Sequence, residues 1–134
     1  MLTQTRTLPI QLIGAVGLIL SSVSVQAAWQ LVNESSQLNF ISVKANHIAE
    51  THTFDLLSGF ITDSGQAQLS IDLASVETGI PIRNERMQNM LFNSVSFPRA
   101  EITTELNLGE LTSFTAPIVK PISAQLSLVG QSTQ

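Results

Sequence analysis

The sequence predicts an all-β domain, a sandwich or barrel of short antiparallel strands that carries one short helix. Three observations predict it. From Trp29 onward apolar residues recur with period two. Turn-forming residues separate these runs at strand-length intervals. A single stretch, Arg83 to Leu91, departs from that pattern: it has no Gly or Pro and spaces Met87, Met90 and Leu91 at helical intervals among Arg86, Gln88 and Asn89. Many short strands with turns between them build sandwiches and barrels.

The clearest strand is Gln66 to Leu73. Ala67, Leu69, Ile71 and Leu73 fall on one face, and Gln66, Gln68, Ser70 and Asp72 on the other. One-sided burial of this kind belongs to an antiparallel sheet. Thr53 to Ile61 reads as the preceding strand, and Thr62-Asp63-Ser64-Gly65 as the hairpin turn, with Gly65 free to take positive φ. Gln37 to Lys44 carries Leu38 and Phe40 on one face, Ile41 and Val43 on the other. Ala100 to Leu106, with Ile102, and Ser123 to Val129, with Leu126 and Leu128, complete the main strands. Leu108 to Phe114 reads as a further short strand ended by Pro117 and Pro121. The helix near residues 83–91 follows Pro81 and crosses an end or edge of the sheet.

The 134 residues suffice for one domain. A charged share of only 12%, with 43% hydrophobic residues, excludes a disordered chain. The net charge of −4 offers no basic field for phosphates, so nucleic acid is not an expected partner. Residues 1–27 read as a signal peptide: Arg6, an apolar stretch from Leu8 to Leu20, then Val25 and Ala27 at the small-residue positions before a cut. Gly14, Gly17, Pro9 and Gln11 interrupt that stretch, and a membrane span needs about 20 apolar residues. The expectation is therefore export to the periplasm, a mature domain over 28–134, and no stable membrane anchor after cleavage. With no Cys in the chain, disulfides, thiolate metal sites and cysteine nucleophiles are ruled out.

Catalytic signals are weak. His47 and His52 are the two histidines, with Glu50 and Asp55 nearby, and their spacing fits no zinc pair. They read as surface or strand-edge residues, and neither a metal site nor a cofactor is expected. No Gly-X-Ser-X-Gly elbow is present. No residue is assigned a catalytic role, and a hydrolase is the least favoured function.

The stretch from Ile71 to Leu106, "IDLASVETGIPIRNERMQNMLFNSVSFPRAEITTEL", resembles the signature of the YceI-like proteins. Ser75, Glu77, Thr78, Arg83, Leu91, Phe92, Pro98 and Ile102 fill its places. The likeness extends back through "SQLNF" (Ser36 to Phe40) and "LLSGFITDSGQ" (Leu56 to Gln66), and forward to "AQLSLVG" (Ala124 to Gly130). Asn84 and Arg86 depart from it, standing where the common pattern has Asp and His. The resemblance implies a lipocalin-like antiparallel barrel around an apolar cavity that holds a polyisoprenoid or quinone-like lipid. The chain ends soon after Leu128, so about six or seven of eight strands are expected, an incomplete barrel. The Ser123–Gly130 strand is then expected to have a neighbour on one side at most.

Leu38, Phe40, Phe60, Leu69, Ile71, Leu73, Ile102, Leu126 and Leu128 either fill a core or line that cavity. The resemblance favours the lining. Arg83 has two readings as well. It binds a polar headgroup at the cavity mouth, or it clamps the helix by bonding Glu77 or strand-end carbonyls. The clamp is preferred, with Arg86 exposed. The expected function is a non-enzymatic periplasmic binding protein for an isoprenoid lipid. The alternative is an interaction module with a solid core.

Overall fold

The computed structural model describes residues 27–45, 47–111 and 115–134. The signal-peptide expectation lies almost wholly outside them. Among the described residues nine strands form two antiparallel sheets. The larger has six strands in the order β1 (Ala27–Gln30), β4 (Leu57–Thr62), β5 (Gln66–Asp72), β7 (Arg99–Glu105), β8 (Gln125–Leu128) and β9 (Gln131–Thr133). The smaller pairs β2 (Leu38–Lys44), β3 (Ile48–Phe54) and β6 (Val76–Glu77). Among the described residues no strand of one sheet pairs with a strand of the other. The sheets are thus not closed into a barrel: where an incomplete barrel was expected there are two separate sheets, which corrects the lipocalin-like architecture that the resemblance implies. The reason is local: β9 folds back onto β8 and ends the larger sheet there, while β2 and β6 remain edges of the smaller one.

The β4–β5 hairpin forms as expected. Gly65 takes φ +91°, and a Cβ there would lie 2.0 Å from the Leu106 carbonyl oxygen. Its amide donates to Thr62 O at 2.9 Å, and its own carbonyl accepts from Leu106 N at 2.7 Å. Only Gly satisfies that conformation and that approach together.

Thr53 to Ile61 is not one strand. The chain breaks at Asp55–Leu56 and passes from the smaller sheet to the larger. The freed backbone donors are captured: Asp55 N by Ser75 O (3.1 Å), Leu56 N by Ser75 Oγ (3.0 Å) and Leu57 N by Asn33 Oδ1 (2.7 Å). Those bonds satisfy the backbone donors that leave the two ladders at the crossover. Leu108–Leu111 is a helical turn, α2, and not a strand; residues 112–114 lie outside the described part. β8 has neighbours on both sides, β7 and β9, so the expectation of a single neighbour is also overturned.

The helix begins at Pro81, where a missing N–H costs nothing, and runs as α1 (Pro81–Arg86) into a π-helical turn, Met87–Leu91. Phe92 N bonds Met87 O at 2.9 Å, the five-residue step of a π turn. That extra residue turns Phe92 into the core. Leu57, Ile71, Leu73, Val76, Phe92 and Ala100 form the buried cluster where the two sheets and the helix meet. Among the described residues no helix is long and apolar enough to cross a membrane.

Candidate functional site

Strand alternation builds the seam between the sheets. In the larger sheet Leu57, Ile71 and Ala100 lie opposite one another across β4, β5 and β7. The next inward rung is Gly59, Leu69, Ile102 and Leu126. The smaller sheet faces them with Leu38 opposite Phe54, Phe40 opposite His52, and Ser42 opposite Glu50. Phe40 stacks on Phe54 at 5.1 Å between ring centroids, and Phe54 meets Phe92 at 5.7 Å.

The sequence-predicted residues divide into three groups on this frame. Ile71 and Leu73 are buried in the packed cluster, and Leu38 and Leu69 pack against it. Phe40, Leu126 and Leu128 line an open hollow of about 540 Å³ together with Leu91, Phe92 and Val129. Leu69 and Ile102 line a second hollow of about 370 Å³ with Trp29, Leu31, Ile61 and Ala67. Phe60 borders that second hollow, but it stands opposite Gln68 in the register. Alternation therefore puts its side chain on the face opposite to Leu69. Phe92 and Trp29 enter the linings although periodicity did not single them out, and Leu91, marked by its helical spacing, joins them. The π turn that places Leu91 and Phe92 has no simple sequence signature.

Polarity rises along the inner face of the smaller sheet. His52 is only 2% exposed, which corrects the surface reading; His47, in the β2–β3 turn, is exposed as expected. The His52 ring lies 5.1 Å from that of Phe40, and its Nε2 pairs with Ser42 Oγ at 2.9 Å. Its Nδ1 is buried without a partner, as is Nε of Arg83.

Arg83 takes the clamp position with a different acid from the one expected. Nη1 bonds Glu50 Oε2 and Nη2 donates to Thr78 O, both at 2.7 Å. The helix is thereby tied to β3 and to the end of β6. Glu77 is engaged elsewhere. The Gly79 amide, at 2.5 Å, and the Asn84 side-chain amide hold its carboxyl below the usual glutamate range. Asn84 also accepts from Thr78 N and Thr78 Oγ1. An Asp at this position could not donate to Glu77. Arg86 is exposed. No group of His, Asp or Glu among the described residues could hold a metal ion.

Fold and site together define a small β-domain with an open apolar seam between two sheets, polar at one end. The chain belongs to the YceI-like domain family, whose model matches residues 29–134. It is similar to the solved structure of a polyisoprenoid binding domain from Saccharophagus degradans implicated in plant cell wall breakdown. The TM-score is 0.76 and the sequence identity 40%, over 81% of this chain and 63% of that one. This chain thus spans less than two thirds of that relative's length. A search of curated proteins finds no match.

Proposed function

We propose that this protein is a non-enzymatic periplasmic binding protein that holds an isoprenoid lipid or a quinone-type prenyl chain along the seam. The observation that carries the reading is the hollow of about 540 Å³ walled by Phe40, Leu91, Phe92, Leu126, Leu128 and Val129. Its walls are mainly apolar side chains from both sheets and the end of the π turn, joined by Gln131, Ser132 and Thr133 of β9, and an apolar lining is what a hydrocarbon chain requires. Membership of the YceI-like family and likeness to a polyisoprenoid binding domain support the same ligand class. Leu69 and Ile102 extend the track toward the second hollow, whereas Ile71 and Leu73 serve as its packed base.

Two rivals fit less well. A solid-core interaction module would not leave this apolar lining open. A hydrolase built on Ser42 and His52 would need a carboxylate on Nδ1 to orient the imidazole, and that nitrogen has no partner. Lipid extraction and native mass spectrometry of the full chain purified from an exporting host test the reading. The expected result is a co-purifying prenyl species, and a protein that takes up no prenyl lipid under any loading condition contradicts it. The periplasmic part of the proposal rests on residues 1–27 and is tested by N-terminal sequencing of exported material. Cleavage after Ala27 is expected, and an intact Met1 in the membrane fraction contradicts it.

A further inference from the structure

We infer that His52 sets the head specificity of the seam: its Nδ1 meets a neutral oxygen on the bound lipid, a carbonyl or hydroxyl, and not a phosphate. The inference rests on the lipid-binding reading above. A core imidazole satisfied by Ser42 alone explains Nε2 and leaves Nδ1 unexplained. That atom is buried with no partner, in a side chain 2% exposed. Unmade bonds at buried polar atoms are destabilising and rare, so a partner arriving with the cargo accounts for it. Position agrees. Phe40 both lines the larger hollow and stands opposite His52, ring to ring at 5.1 Å. The imidazole is therefore one side chain away from the apolar track.

Charge selects the head. Glu50 lies two residues before His52 on the same strand face, about 7 Å along. Its carboxylate neutralises Arg83, which is engaged a second time by Thr78 O. Lys44 and Arg86 have exposed side chains. A phosphate brought to His52 would thus meet the Glu50 carboxylate, with Arg83 already paired to that carboxylate and only its Nε left unbonded, whereas a neutral oxygen needs only one imidazole N–H. In the tautomer in which Ser42 Oγ–H donates to Nε2, that proton sits on Nδ1.

The test compares three probes on the full chain: a prenylated benzoquinone, squalene and a polyprenyl monophosphate. The quinone is expected to bind about tenfold tighter than squalene, the usual worth of one hydrogen bond, and the phosphate weakest. His52→Leu is expected to bring the quinone-to-squalene ratio to about one, with squalene binding retained, and His52→Gln to restore most of it. Should His52→Leu fail to fold, ¹⁵N imidazole spectra of the wild type give the same answer: the Nδ1 signal moves with quinone and not with squalene. An unchanged ratio in a folded His52→Leu, or an Nδ1 signal indifferent to the quinone, overturns the inference. Squalene bound as tightly as quinone by the wild type overturns it while leaving the lipid-binding reading intact. Binding of none of the three overturns both.

Discussion

In β5 and just beyond it, Ile71 is 5% exposed and Leu73 1%, while in β8 Leu126 and Leu128, on the same inner face of the same sheet, stay half-buried. Both strands have neighbours on either side and both alternate apolar with polar residues. The difference lies in what covers them. The end of β5 is met by Leu57, Val76 and Phe92, so its apolar side chains are enclosed. β8 faces Phe40 and the π turn across a gap of about 540 Å³. Alternation along a strand decides which face is apolar. Whether that face is filled or left as lining depends on elements far away in sequence.

The largest expected effect sharpens this contrast. Leu73→Ala removes a fully buried side chain from the packed end and should cost about 3 kcal/mol. Leu126→Ala at the hollow should cost less than about 1 kcal/mol, because its surroundings are already open, yet weaken prenyl-lipid binding. Urea unfolding and lipid titration of the pair give both numbers, and equal destabilisation would break the distinction between base and lining.

Next in size is Gly65→Ala. It puts a methyl group against the Leu106 carbonyl oxygen and forces positive φ on a residue with a Cβ, so a loss of about 2 kcal/mol is expected. Thermal unfolding of this variant measures how far β5 depends on its turn. A wild-type melting temperature would show that the hairpin shifts at little cost.

The smallest effect concerns the β6–α1 junction beside the packed end. The folded Glu77 carboxyl titrates below its unfolded counterpart, chiefly through the Gly79 amide and then through Asn84. Its contribution is therefore present above the unfolded value and lost as pH falls through the folded one. The group is fully exposed, so the loss is small. Glu77→Gln should flatten the acid limb of the stability–pH curve slightly and leave neutral stability nearly unchanged. A curve identical to wild type would remove Glu77 from the account.

Much of the larger sheet was legible in the sequence because its inner positions are apolar and its outer ones polar. β5, with Ala67, Leu69 and Ile71 set against Gln66, Gln68 and Ser70, shows this without ambiguity. β3 was hidden beyond its last two residues, since its inner face carries Glu50 and His52, and polar residues facing inward erase the alternation. β9 is Gln-Ser-Thr, with no apolar residue to mark either face. The break at Asp55–Leu56 was equally hidden, because it depends on Ser75 and Asn33, partners about 20 residues away. Of the site, Phe40, Leu126 and Leu128, which border the larger hollow, were legible as inward apolar positions, whereas Phe60 stands on the other face of its strand. His52 was missed because nothing in its neighbourhood reveals that it points inward.

The most direct test of the division between packed base and lipid lining is amide hydrogen exchange on the full chain with and without a bound prenyl lipid. The account predicts added protection in Gln125–Leu128 and at Phe40, where the larger hollow is walled, with Gln66–Asp72 already protected and unchanged. Protection gained in Gln66–Asp72, with none in Gln125–Leu128, would contradict it.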